Sequence, residues 1–361
     1  MSRINQLYTY MENTQLDALI VMLPKHVYYL TGFYSDPHER FMGLVLVRGE
    51  EPALIVPALD KEAAYAATKM ENIFTHTDTD NPYEVLRKVI PSTCKRIGLE
   101  KDYVTVNRYE AMRSALDVAE MVDIEEPLKK MRMIKSPEEV VRIKKAIEVI
   151  EEVLRRGIQK VQVGVTEIEI VAELEYQMKR LGAEGPSFST MVLAGEKSAL
   201  PHGKPGDRKI QAGELLLFDL GVYMNGYASD ITRTFAVGDV NDQLKEIYHT
   251  VLAGNLAGLE AIRPGVTLAS VDLAARDVIA SKGYGEYFMH RLGHGLGLDV
   301  HEYPSIHSEN MDLLHAGMVF TVEPGVYVSG TGGVRIEDDV LVTENGVEVL
   351  TTFPKELTVI G

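Results

Sequence analysis

Only one cysteine, Cys94, stands in the 361 residues. That count excludes an intramolecular disulfide and any thiolate-rich zinc site, and it fits a reducing cytoplasm. Cys94 lies between Thr93 and Lys95 with no histidine beside it, so the thiol reads as structural rather than nucleophilic. Long hydrophobic runs are missing too. The longest near the N-terminus, LDALIVML at 16–23, is far short of the ~20 residues a membrane span needs, has no cleavage-site pattern behind it, and reads as a buried strand. Positive charge is scarce: 37 Lys and Arg against 53 Asp and Glu leave a formal net charge of −16. Such a surface repels phosphate backbones and anionic lipid, so nucleic acid and membrane are not expected partners, whereas cations are.

What is present is an ordinary globular composition, 45% hydrophobic and 25% charged without low-complexity tracts. At ~100–200 residues per domain the length predicts two domains. Residues 1–130 alternate β-rich runs (DALIVML, GLVLV, ALIVP, RIGLE) with helical stretches such as DKEAAYAATKM, the pattern of a small α/β unit. KSPEEVVRIKKAIEVIEEVLRRG then opens a second domain, residues 131–361. Ser136 is placed to N-cap a helix, Pro137 to occupy its first position and Glu139 to close a capping box, with Val140, Ile143, Ile147, Ile150 and Leu154 at helical spacing.

The second domain carries a faint internal repeat. Gly164-Val165-Thr166 and Gly265-Val266-Thr267 each start a helix, ending at Leu181-Gly182 and Lys282-Gly283, and AGELLLFDLGVY (212–223) aligns with AGMVFTVEPGVY (316–327). Two correlated blocks about a hundred residues apart indicate a duplicated half, with Asp219 opposite Glu323. The Asn225-Gly226 turn predicts a hairpin that returns Asp230 to Asp219, and a Gly-rich turn likewise returns Glu337 to Glu323. Either pair alone reads equally well as solvent-facing acids on a half-exposed strand. If all four converge on one axis, four buried carboxylates require compensation, which two divalent cations supply. Among the ten histidines, HRLGHGLGLDVHE (290–302) gathers three, and His294, flanked by glycines that let backbone approach, is the best imidazole for such a site. Two decoys fall away here. His301-Glu302 begins like a helical zinc motif, but position 305 is Ser and Pro304 forbids the helix, while Gly293, Gly295 and Gly297 have the wrong spacing for a dinucleotide loop.

FDLG with Asp219, SDITRT with Asp230, GHGLGLDVHE with His294, VEPG with Glu323 and RIEDD with Glu337 together resemble the five-ligand dinuclear set of the pita-bread metallopeptidases. LDALIVMLPKHVYYLTGF and MRMIKSPEEVVRIKKA resemble the N-terminal domain and junction of the prolidase, aminopeptidase P and creatinase branch. The resemblance implies an α/β (α+β) chain with a creatinase-type N-terminal domain and a pseudo-twofold catalytic domain. It also implies a homodimer and two divalent ions per subunit, Mn²⁺ first with Co²⁺ or Zn²⁺ as alternatives. It makes Asp219, Asp230, His294, Glu323 and Glu337 the metal ligands, and Glu323 also a proton shuttle. His202, in LPHGKP, and His301 are implied as catalytic. His290, Arg291 and Arg335 are implied as substrate-binding, with Arg335 as an ion-pair partner of a ligand the alternative. The loop 36–40 resembles one in prolidases of Gram-positive bacteria, so His38 and Arg40 are expected to act across a dimer, with an ordinary polar loop as the equal alternative. Creatinase lacks the ligand set, and a non-catalytic binding module would have lost it. The activity implied is cleavage before proline: a dipeptidase first, an Xaa-Pro aminopeptidase second. Ser305 departs from those prolidases that carry arginine shortly after VHE, which leaves the anchor for a substrate carboxylate open.

Overall fold

The computed structural model describes residues 2–361, and the chain divides into two compact units, Met1–Met131 and Arg132–Gly361. In the first, six strands form a mixed sheet in the order Ile73–His76, Ala53–Pro57, Gly43–Val47, Ala18–Val21, Arg96–Leu99, Glu120–Asp123. A strand covered on both faces needs an unbroken apolar run. Ala18 and Ile20 enter one core and Leu19 and Val21 the other, all fully buried. Each large aliphatic chain so buried contributes about 1.5–3 kcal/mol, which is why LDALIVML is interior strand. Among the described residues no helix is long and apolar enough to cross a membrane. Cys94 is buried in one of these cores, and burial pushes its thiol up, away from reactivity.

The second unit opens with the helix Pro137–Ile158, and both halves of its capping box form: Glu139 N donates to Ser136 Oγ, and Ser136 N donates to the Glu139 carboxylate. The duplication is present in the backbone. Thr166 and Thr267 each N-cap a helix of 14 residues, Glu167–Arg180 and Leu268–Ser281. Gly182 and Gly283, both at φ +85, follow the ends of those helices in the left-handed conformation that a β-carbon disfavours. Each of these helices follows a longer one, Pro137–Ile158 and Asp242–Ala261. Each half has its own core, one built around Ile150, Leu174 and Phe218, the other around Val251, Ile279 and Phe320.

A four-stranded sheet in the first half runs Val359–Ile360, Ile231–Val237, Glu214–Leu220, Met191–Ala194. The second half has five strands, Glu302–Ile306, Gly293–Gly295, Val319–Val322, Asp338–Thr343, Gly346–Val349. Pro304 lies within one of them, so His301-Glu302 opens onto a strand and not a helix. Both expected hairpins form, but each is broken partway and its tip belongs to a separate small sheet. Glu214–Leu220 yields at Gly221 to Val222–Met224, and the chain turns at Asn225 and Gly226 (φ +51 and +76) into Tyr227–Ala228 and then Ile231–Val237. In the other half Pro324 and Ile336 separate Val319–Val322 from Gly325–Val328 and Gly332–Arg335 from Asp338–Thr343. The break at Gly221 brings chains too close for a side chain: a β-carbon there would lie 2.0 Å from the Ser229 carbonyl oxygen. Asp219, Asp230, Glu323 and Glu337 all stand at or beside these interruptions.

Candidate metal centre

Alternation along Glu214–Leu220 sends Leu216, Phe218 and Leu220 into the first-half core and turns Asp219 to the other face. Asp219 lies opposite Thr232 on the return strand, two residues after Asp230. From the second half come His294 on Gly293–Gly295, Glu323 just after Val319–Val322, and Glu337 between Gly332–Arg335 and Asp338–Thr343. Ligand atoms of Asp219, Asp230 and Glu337 lie within 4.8 Å of one another, as do those of His294, Glu323 and Glu337. Glu337 belongs to both groups. A third group joins Asp230 and His294 to His301.

The charges in this cluster are poorly balanced by protein alone. Burial and the neighbouring carboxylates of Glu337, Asp219, Asp339 and Glu323 push Asp230 well above the ordinary carboxyl range, and burial with Glu323 and Asp219 does the same to Glu337. Burial also raises Asp219, against the pull of Arg335. Burial opposes ionisation of Glu323 as well, but while His294 is protonated its hydrogen bond and charge, with the charges of His290 and Arg335, outweigh that and hold Glu323 at about 2. Asp230 Oδ1 and Glu337 Oε1 are buried and accept no hydrogen bond. Orphaned acceptors inside a ring of acids are what a cation would satisfy, so the donor set fits a pair of hard divalent ions. His294 is prepared for the same role. Its Nδ1 lies 3.2 Å from the Gly295 carbonyl, which only a donor can satisfy, so in the neutral ring Nε2 is bare and faces Glu323 Oε1 at 3.2 Å and Asp230 Oδ2 at 3.7 Å.

These acids form the floor of a cavity of about 900 Å³. His202, His290, Arg291, His301 and Arg335 line it as well, so every sequence-predicted site residue of the second unit meets here. The His301 ring lies 3.8 Å, centroid to centroid, from that of His294; desolvation, then the charges of His294 and Arg291, lower it to about 4. Burial likewise lowers His290, whose Nε2 is 2.9 Å from Tyr327 Oη. Arg291 Nη1 donates to Ser305 Oγ at 3.1 Å. Arg335 is buried and fully engaged: Nη2 on Asp219, Nη1 on Tyr327 Oη at 2.7 Å and Nε on Thr232 Oγ1 at 3.1 Å. It is thus bound to the carboxylate Asp219, the alternative left open for it. His38 and Arg40 belong to the other unit. There His38 N donates to Asp36 Oδ1, and Arg40 forms a two-pronged ion pair with Asp78.

Several partners stand in the quoted motifs but were not singled out from the sequence. Thr232 Oγ1 donates to Glu337 Oε2 at 2.6 Å, Asp339 Oδ2 accepts from Asp230 N at 3.1 Å, and Glu302, beside His301, is gripped by Arg132 and Lys135. Only Tyr327 could have been found, because the repeat aligns it with Tyr223.

Residues 141–344 match the model of metallopeptidase family M24, and residues 3–134 match that of the creatinase/prolidase N-terminal domain. The Bacillus subtilis (strain 168) protein "Putative dipeptidase YkvY" is 43% identical over 100% of both chains. Among solved structures, an Xaa-Pro dipeptidase from Bacillus anthracis is 34% identical with a TM-score of 0.92, covering 99% of this chain and 98% of that one. An X-Pro aminopeptidase from Thermotoga maritima MSB8 is 36% identical with a TM-score of 0.89, covering 97% and 99%. With its creatinase-type first unit, its duplicated second unit and its acids gathered between the halves, this chain belongs to metallopeptidase family M24.

Proposed function

We propose that the protein hydrolyses the peptide bond preceding proline in Xaa-Pro dipeptides, using two divalent cations, Mn²⁺ before Co²⁺ or Zn²⁺. One observation carries the reading: Asp219, Asp230, His294, Glu323 and Glu337 converge on shared volume, with buried oxygens of Asp230 and Glu337 left without hydrogen bonds. Asp230 and Glu337 would be shared by both ions, Asp219 would complete one, and His294 with Glu323 the other. When bound, the ions supply a Lewis acid for the scissile carbonyl and acidify water.

The chain's own groups account for the rest. Glu323 accepts the proton of the attacking water and passes it towards the leaving prolyl nitrogen, which has none of its own. His301, neutral at pH 7, and His202 donate hydrogen bonds to the tetrahedral oxygen and the departing amine. Arg291, steadied by Ser305, meets the substrate carboxylate at the cavity wall, with His290 beside it. Arg335 serves as a tether for Asp219 rather than a direct contact to substrate. In the same reading two copies associate, and His38 and Arg40 act at the other copy's cavity; a monomer in sedimentation removes that part.

The test compares an Xaa-Pro dipeptide with the tripeptide extended beyond proline, before and after chelation and after return of Mn²⁺ or Co²⁺. Loss on chelation, recovery on return and preference for the dipeptide are expected. Preference for the tripeptide would favour the aminopeptidase reading, to which the similarity with the Thermotoga enzyme also points. Full activity in excess chelator would remove metal chemistry altogether.

A further inference from the structure

His202 reaches the cavity on a loop, residues 195–205, that leaves the strand Met191–Ala194 and returns at Gly206. Among the described residues none is hydrogen-bonded to its imidazole, so His202 stands wherever the loop stands. The loop closes on a single side chain. Glu167, first residue of the helix Glu167–Arg180, is fully buried; its Oε1 accepts from Ala194 N at 2.9 Å, and its Oε2 accepts from Gly206 N at 3.0 Å and from Lys197 Nζ. Ile168 N donates back to the Gly206 carbonyl at 3.1 Å. One carboxylate therefore joins the two ends of a compact surface loop, the condition for such a loop to hold a shape of its own. A second hook lies midway: Ser198, also fully buried, accepts from Gly333 N at 2.7 Å and donates to the Gly195 carbonyl at 2.6 Å. Gly333 belongs to the strand that ends in Arg335. Residues 200–203 are left to line the cavity.

The duplicated half provides an internal control. Thr166 and Thr267 are equivalent N-caps, so Glu167 corresponds to Leu268, which is fully buried and sits in an apolar core. The helix start is therefore built equally well with an aliphatic residue. A carboxylate buried at the same place in the first half is explained by what it holds.

We propose that Glu167 is a positioning residue, a buried carboxylate that clamps both ends of the 195–205 loop and thereby sets His202 in the cavity. The catalytic part of this rests on the function proposed above; the clamp itself does not. Glu167→Gln keeps the volume but turns an amide NH₂ either towards Ala194 N or towards Gly206 N and Lys197, releasing one end of the loop. Displacement of a catalytic group by roughly 1 Å costs on the order of a hundredfold, so kcat on an Xaa-Pro dipeptide is expected to fall about ten- to a hundredfold with KM moving less than about threefold. In a His202→Ala background the same change should lower kcat by less than about twofold, because coupled residues are not additive. Amide exchange followed by mass spectrometry should speed up in residues 195–206 and stay unchanged in the strands Ile231–Val237 and Asp338–Thr343.

Equal losses in both backgrounds, or faster exchange throughout the second unit, would overturn the proposal in favour of a general structural role. Should Glu167→Gln fail to fold, Ser198→Ala carries the same cycle through the other hook, with a smaller His202-dependent loss expected and a His202-independent one overturning it. If the unmodified protein cleaves no Xaa-Pro peptide, the functional reading falls by itself. The clamp is then decided by exchange: acceleration confined to residues 195–206 upholds it, and unchanged exchange there sinks it.

Discussion

Arg291 is held at one prong by Ser305, where the sequence departs from those prolidases that carry arginine shortly after VHE. The hydroxyl accepts from Nη1 at 3.1 Å, which leaves the rest of the guanidinium for a ligand in the cavity. A charge-assisted hydrogen bond is worth about 1.5–3 kcal/mol, so Arg291→Ala should raise KM for Xaa-Pro dipeptides roughly ten- to a hundredfold and for tripeptides far less. Equal effects on both substrates would remove Arg291 from the anchor. Glu302 makes a pH prediction. Burial opposes its charge, but Lys135 and Arg132 outweigh that and hold the carboxyl below its ordinary value. A depressed folded-state value stabilises the protein above the unfolded pKa of ~4.3, and the contribution fades as pH falls through the folded value. Glu302→Gln should therefore destabilise by about 3–5 kcal/mol near neutral pH, with the gap in melting temperature closing in acid; a gap constant with pH would contradict the ion-pair account. The four acids and His294 at the candidate site were legible as an ordered set because a short motif surrounds each, although either acid pair alone reads equally well as solvent-facing. The pairing of Glu302 with Arg132 and Lys135 was not, since Arg132 meets its partner 170 positions away and neither motif signals that the two meet.

At the scale of elements, caps and turns were the most legible features. Ser136, Thr166, Thr267 and the Asn225-Gly226 turn act where the spacing placed them, because each satisfies backbone groups within three or four residues. The interruptions of both hairpins were not legible. Period-two alternation describes one strand, whereas the breaks at Gly221 and Pro324 follow from what crosses them: the Ser229 carbonyl in one case and a change of sheet in the other. Gly293 shows the same close approach beside a site residue. A β-carbon there would lie 1.8 Å from the Thr321 carbonyl oxygen, between the strand that carries His294 and the one that leads to Glu323. Gly293→Ala should cost about 1–3 kcal/mol or more through overpacking and, because His294 moves with the strand, should weaken metal retention on gel filtration beyond what the lost stability explains. Wild-type metal content in the variant would show that the two strands part without moving the imidazole.

For the molecule as a whole, the decisive feature is that the candidate ligands come from both halves of a duplicated unit. Asp219 and Asp230 belong to the half built on the core around Phe218, and His294, Glu323 and Glu337 to the half built on the core around Phe320. The halves therefore meet in a ring of carboxylates whose mutual repulsion and burial push Asp230 and Glu337 up, an arrangement that opposes their association until cations enter. Metal should accordingly act as a cross-link as well as a reagent. Binding only to the folded state stabilises by about 2.7 kcal/mol at a hundredfold excess over Kd, and that gain should appear where the ligands are. Adding Mn²⁺ to the chelated protein is expected to slow amide exchange in Glu214–Leu220, Ile231–Val237, Val319–Val322 and Asp338–Thr343. The sheet around Ala18–Val21, which has its own cores and contributes no ligand, should exchange as before. Glu337→Gln, which removes charge from a residue that belongs both to the group with Asp219 and Asp230 and to the group with His294 and Glu323, should abolish the protection in both halves together. Protection that survives in one half alone would mean that the two halves hold their ions separately, and would remove the bridging role proposed for Glu337.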